Sequence, residues 1–242
     1  MPMPVPKLGT TSREIAAFAH QALLLRHDAG RPVVPTQARP GDDVVVCLHG
    51  AFTTAGVLRP LRRRLERHPG VHTATMPYPL GPGVRTLSRL LQERLAELPE
   101  DTTVHLVGHS LGGVVARYFA QELGDPRVVQ TISLAAPFAG VRHIGRLPVA
   151  VARDLAPMSP LLRGLALGSR RAFALPHLSL VADSDVVVKT PIEHALPGGD
   201  LAIIRDCGHN SMLFRKDVAR LVERRVLDHA GQPLPMARSA AG

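Results

Sequence analysis

Gly108-His109-Ser110-Leu111-Gly112, followed by Gly113, fits the pattern G-x-S-x-G. At this chain's glycine and serine frequencies the bare pattern arises by accident about 0.07 times, so its setting must carry the argument. The pentapeptide leaves the short apolar run Val104-His105-Leu106-Val107 and enters a helical pattern over 111–123. A strained strand-to-helix turn at that point holds a serine hydroxyl out above a sheet. The N-terminus of the next helix adds partial positive charge for an oxyanion. Read structurally, these residues are a glycine-rich turn with Ser110 as a helix cap; read chemically, Ser110 is a nucleophile.

A serine hydroxyl attacks slowly near neutral pH unless a base takes its proton and an acid orients that base. Twelve histidines compete for the first role. In the order serine, acid, histidine, the base follows the last strand, and Cys207-Gly208-His209-Asn210-Ser211 lies between an apolar run at 201–205 and the final helical pattern. His209 is therefore the expected base, with Asn210 or Ser211 free to cap the helix. The acid is expected in Leu180-Val181-Ala182-Asp183-Ser184-Asp185-Val186-Val187-Val188. Asp185 is favoured there: Asp183, nearest the strand, suits an Asx-turn through its own backbone, while the next carboxylate projects across the strand ends. Asp206 comes third, because on the loop of His209 it is poorly placed to face the ring.

A tetrahedral intermediate also needs backbone donors. The N–H of Leu111 is the first candidate. The second lies in Leu48-His49-Gly50-Ala51-Phe52, where Gly50 lets the chain turn and the N–H of Ala51 can face the site; Phe52 is the nearby alternative. His49 and His109 read as supporting residues that hydrogen-bond these loops.

The elements that must bring these residues together are legible as alternating patterns. Helical spacing predicts a first helix at 12–27, with Ile15, Ala16, Ala19, Ala22, Leu23 and Leu24 as its apolar positions. Val44 to Leu48 is continuously apolar and rich in β-branched residues, as in a strand buried on both faces. An arginine-rich helix at 54–67 follows, whose five arginines read as a solvated face, then a strand at 71–76 and a helix at 84–98. Strands at 104–107 and 128–134 flank the helix at 111–123; strands at 178–182 and 201–205 and a helix at 211–229 close the chain. Such alternation predicts βαβ units and a parallel sheet covered by helices. The rhythm breaks at 138–176, where six arginines stand against one acid, Asp154, with no strand signature. That segment reads as an insertion, and the residues after Gly231 as a frayed tail.

Composition removes other classes. At 242 residues, 45% hydrophobic and 20% charged, the chain fits one soluble globular domain and lacks the apolar run of about 18 residues needed to span a bilayer. The start, Met1-Pro2-Met3-Pro4-Val5-Pro6, lacks the order of a secretory signal. Cys47 and Cys207 are too few for a disulfide framework and read as free thiols; a cytoplasmic location is the expectation. Net charge is +9, but with eight aromatic residues and no Trp a stacking platform for nucleic acid is missing. No nucleic-acid partner is expected.

With Leu48-His49-Gly50, Gly108 to Gly113, Ala136-Pro137, Asp185 before valines and Gly208-His209, the chain resembles the α/β-hydrolase superfamily and its bacterial lipase and esterase branch, from about Val44 to Leu227. The resemblance implies a single α/β domain over 1–242, with a mostly parallel sheet of about six strands, flanking helices and a small cap insertion at 138–176. It implies hydrolysis of carboxylic esters through an acyl-serine on Ser110, Asp185 and His209, with no metal and no cofactor. Acyltransferase, thioesterase or amidase chemistry on the same triad is the alternative, as is an inactive lipid- or partner-binding fold. In the cap, Met158, Leu161, Leu162, Leu165 and Leu167 would line an acyl pocket with Phe52 near it, and the arginines would face outward. The expected partners are a small ester or lipid-like substrate and, transiently, an anionic membrane surface.

Overall fold

The computed structural model describes residues 8–142, 144, 147–168 and 174–229. The tail after Gly231 and part of the 138–176 segment, including Arg146, Arg170 and Arg171, lie outside the described residues. Six strands form one parallel sheet: β1 (Asp43–Leu48), β2 (Val71–Thr75), β3 (Thr103–His109), β4 (Val128–Leu134), β5 (His177–Ala182) and β6 (Asp200–Ile204), in the order β2-β1-β3-β4-β5-β6. The expected six-stranded, helix-flanked parallel sheet is the one observed.

Side chains of a strand alternate between the two sheet faces, so a run such as β1 must be apolar throughout if helices cover both. Val44, Val46 and Leu48 enter one core, and Val45 and Cys47 the other. On the first face pack α3 (Val84–Leu95) and α4 (Leu111–Tyr118), whose Leu87, Leu91, Val114 and Val115 are buried. On the second pack α2 (Arg59–Leu65) and α7 (Lys216–Leu227), where Val218, Val222 and Val226 repeat every four residues along the buried stripe. The arginines of α2 are not all solvated: Arg62 turns inward, donating to Thr73 at 2.9 Å and to Asp28 at 2.8 Å.

The 138–176 segment contributes α5 (Ala150–Asp154) and α6 (Pro160–Leu167). Its single acid is fixed structurally, because the Asp154 carboxylate accepts the N–H of Val84 at 2.7 Å, at the start of α3. Leu161, Leu162 and Leu165 are buried in the first core.

Helix α1 (Leu8–Leu24) departs from its expected face. Ile15, Phe18 and Leu23 are exposed, while Ala17 and the polar Gln21 are buried. A periodic apolar pattern identifies the helix, but what it packs on decides which side turns inward. No described helix is long and apolar enough to cross a membrane.

Candidate active site

Ser110 stands between β3 and α4 with φ 52° and ψ −120°, a conformation L-residues avoid. Such strain costs on the order of 1–3 kcal/mol and persists only where the surroundings enforce it. Here the enforcement is visible. The Ser110 N–H donates to the Leu134 carbonyl at 2.9 Å, and the Ser110 carbonyl accepts the Gly113 N–H at 3.0 Å. A Cβ at Gly108 would lie 2.2 Å from the Gly112 carbonyl carbon, and one at Gly112 would lie 2.3 Å from the Leu48 oxygen. Both motif glycines are thus required by close backbone approach.

The carboxylate of Asp185 faces the imidazole of His209, with Nδ1–Oδ2 at 2.7 Å. Its other oxygen accepts the N–H groups of Val187 at 2.8 Å and Val188 at 2.7 Å. The Asx-turn expected of Asp183 therefore belongs to Asp185, which closes the turn and orients the ring together. Asp183 instead braces the neighbouring loop, its Oδ1 accepting from the Ser184 hydroxyl at 2.9 Å and from the Cys207 N–H at 3.3 Å. Asp206 offers its carbonyl to Arg13 and Arg215. With Nδ1–H donating to a carboxylate, Nε2 of His209 is left as an acceptor.

The loop after β1 is held by His49. Its Nδ1–H donates to the Gly50 carbonyl at 2.8 Å, its Nε2 accepts the Tyr78 N–H at 3.3 Å, and its ring stacks on Tyr78 with centroids 4.0 Å apart. The Thr53 hydroxyl adds a bond to the Gly50 carbonyl at 3.0 Å. Burial lowers the His49 pKa, in keeping with a neutral ring that donates at one nitrogen and accepts at the other. Ala51 sits inside this braced turn. Leu111 is the first residue of α4, where its N–H has no acceptor within the helix.

His109 is buried, and its Nε2–H donates to the His209 carbonyl at 3.1 Å. Burial, with His209 beside it, pushes its pKa down to about 3. Among the described residues its Nδ1 finds no partner.

Ser110, His109 and His209 line a cleft of about 320 Å³. Its walls are mainly apolar, with Leu25, Ala51, Phe52, Pro137, Val141 and Leu155 among them. Phe52 is where the sequence places it, but Met158 and Leu161 are not in these walls. Met158, in the turn before α6, is 74% exposed, and Leu161 is buried because α6 turns its apolar face into the first core; the cap's share of the cleft comes from Val141, Ile144 and Leu155. Helix α1 supplies a further wall through Phe18, Gln21 and Ala22. That wall was not foreseen, since the local signal was no more than two polar residues, Glu14 and Gln21, seven apart on a helix that precedes the strands.

A larger hollow of about 530 Å³ lies near Leu123, Asp125 and Leu175; it holds none of the expected site residues. Among the described residues no group of His, Cys, Asp and Glu could hold a metal ion.

No curated protein sequence matches the chain. Solved structures do match in fold. A lipase from Bacillus licheniformis, BlEst2 in its mature form, is 12% identical with a TM-score of 0.65 over 81% of this chain and 96% of its own. The metagenomic carboxyl esterase MGS0156 is 17% identical with a TM-score of 0.62 over 96% of each chain. The carboxylesterase CesB from Bacillus subtilis is 14% identical with a TM-score of 0.52 over 91% and 98%. At such identities the likeness is one of fold. Sequence carries the assignment further: the profile of the alpha/beta hydrolase family matches residues 45–185, from β1 through the serine turn to the aspartate behind His209, and the chain belongs to that family.

Proposed function

We propose that the protein is a serine hydrolase of carboxylic esters, with Ser110 as nucleophile, His209 as base and Asp185 as the acid that orients it. The observation that carries this reading is the convergence of a strained serine turn and a carboxylate-bound imidazole on one apolar cleft. Ser110 Oγ attacks the ester carbonyl while His209 Nε2 takes its proton, forming a tetrahedral intermediate. The N–H groups of Leu111 and Ala51 receive the oxyanion. His209 returns the proton to the leaving alcohol, and the acyl-serine is released when water, deprotonated by the same ring, attacks it and yields the acid. No metal or cofactor takes part in this scheme.

The apolar walls support an ester with an apolar acyl group. Phe18 and Phe52, 58% and 70% exposed at the cleft, support uptake from a lipid surface, and the net charge of +9 favours an anionic one. We take 1–242 as one catalytic domain with 138–176 as its cap, a view supported by the burial of Leu161, Leu162 and Leu165 in the sheet's own core. Two buried free thiols support a cytoplasmic setting.

The test is a series of nitrophenyl esters of rising acyl length, run on wild type and Ser110→Ala, with fluorophosphonate labelling of the folded protein. Hydrolysis and labelling lost together in Ser110→Ala is the expected result. Equal rates in the two proteins would overturn the assignment.

A further inference from the structure

The loop that carries His209 is held from a part of the chain that precedes the matched family region. Glu14, on α1, accepts the Asn210 N–H through Oε2 at 3.1 Å and the Ser211 N–H through Oε1 at 2.7 Å, while the Asn210 side-chain amide reaches Oε2 at 3.4 Å. The partners are 196 and 197 residues apart in sequence. Arg13, next to Glu14, donates to the Asp206 carbonyl at 3.2 Å at the other end of the same loop.

The peptide unit joining His209 to Asn210 is thereby gripped at both ends. Its carbonyl accepts from His109, and its N–H donates to Glu14. A peptide plane fixed at oxygen and nitrogen cannot rotate about its flanking bonds without breaking one of these contacts, so the backbone from which the His209 ring projects is held from two sides. Asp185 then sets the ring's own rotation.

Gly208 belongs to this arrangement. A Cβ there would lie 2.4 to 2.5 Å from Oε1, Cδ and Cγ of Glu14, its three nearest neighbours. Glycine at 208 makes room for the carboxylate.

We propose that Glu14 is a positioning residue for the hydrolase reaction: helix α1 delivers a carboxylate that clamps the 209–210 peptide and keeps His209 aimed at the cleft. This rests on the serine-hydrolase reading above, and the test separates the two. Hydrolysis of nitrophenyl butyrate is measured for full-length wild type, Glu14→Ala, Glu14→Gln, Gly208→Ala and the double variant Glu14→Ala/Gly208→Ala, each rate divided by the sites titrated with a fluorophosphonate. Loss of aim costs up to about 10²-fold in kcat with KM nearly unchanged. Glu14→Gln, which keeps one acceptor oxygen, falls between. Gly208→Ala is harmful alone and milder in the Glu14→Ala background, where its clash is gone. Per-site kcat within about twofold of wild type in Glu14→Ala, or strict additivity of the pair, would overturn the proposal. If wild type hydrolyses no ester, the serine reading fails, and amide exchange at Asn210 and Ser211 decides the clamp. Faster exchange in Glu14→Ala sustains it, and unchanged exchange removes it.

Discussion

Asp185 divides its two carboxylate oxygens between two tasks: Oδ2 lies 2.7 Å from Nδ1 of His209, while Oδ1 binds the N–H groups of Val187 and Val188. One oxygen thus anchors the carboxylate to its own turn, and the other is left with a single direction in which to point. An acid held this way fixes both the tautomer and the rotation of the imidazole, and stabilises the imidazolium as the base fills.

Replacement of Asp185 by Asn leaves the turn contacts possible but puts an amide opposite Nδ1. The ring then favours the tautomer with its proton on Nε2, which cannot accept from Ser110. The expected loss in kcat is about 10⁴-fold with little change in KM. Asp183→Asn, whose wild-type carboxylate touches Ser184 and Cys207 rather than the ring, should lose far less. Steady-state hydrolysis of a nitrophenyl ester by both variants checks the assignment; a larger loss for Asp183→Asn would reverse it.

Gln21 is buried in the wall of the cleft, and its Oε1 has no hydrogen-bond partner among the described residues. A buried acceptor left unpaired costs about 1–3 kcal/mol. Gln21→Leu removes that atom and adds apolar surface, so thermal unfolding should move up by about 2–4 °C for each kcal/mol recovered. A lower melting temperature would show that the amide has a stabilising role that its oxygen does not display.

The extent to which the chain announced this arrangement follows from which contacts are local. Strands such as Val44 to Leu48 were legible because burial on both faces demands an unbroken apolar run, and Ser110 because backbone crowding at its turn admits only glycine at 108 and 112. Asp185 and His209 were legible from their places after successive strands. The clamp of Glu14 on Asn210 and Ser211 was not, since it joins residues nearly the whole chain apart and no local pattern encodes it. For the same reason Leu161 looked like a pocket residue: an amphipathic helix shows that one face is buried, not which neighbour buries it, while Met158 stands in the turn before that helix and is exposed.

His109 and His177 set a pH dependence of stability. Burial pushes both down to about 3, with His209 adding to the first and Arg117 and Arg225 to the second. In the unfolded chain each titrates near about 6.5. Between those values the unfolded chain binds protons that the fold refuses, so stability falls as pH drops below about 6.5 and levels off above it. For His177, whose ring bonds Thr131, Ser133 and Ser179, the loss between about pH 7 and about pH 5 is about 2 kcal/mol. Urea unfolding of wild type and His177→Gln at those two pH values should show the variant losing less by that amount, and equal losses would assign the acid sensitivity elsewhere.

Cys47 and Cys207 are both free and buried. Burial raises Cys47 to about 12 and Cys207 to about 11, so neither presents thiolate near neutral pH, the form that reacts. An aromatic disulfide reagent should label no thiol in native protein and both after denaturation. Rapid labelling of Cys207 in the native state would mean that the His209 loop opens readily, against the clamped backbone described here.

Phe18 and Phe52 flank the cleft from two separate elements, α1 and the loop after β1, with large exposed rings. Neither ring is needed to bury the core, so their replacement by Ser should leave the melting temperature nearly unchanged. If they receive substrate from a lipid surface, the paired variant Phe18→Ser/Phe52→Ser loses activity on long-chain esters dispersed in anionic vesicles while keeping its rate on dissolved nitrophenyl acetate. Each ring removes apolar area worth about 1.5–3 kcal/mol when fully buried, so a drop of at least tenfold in vesicle co-sedimentation is expected from the pair. Equal loss on dissolved and vesicle-bound substrates would instead mark both rings as walls of the acyl pocket.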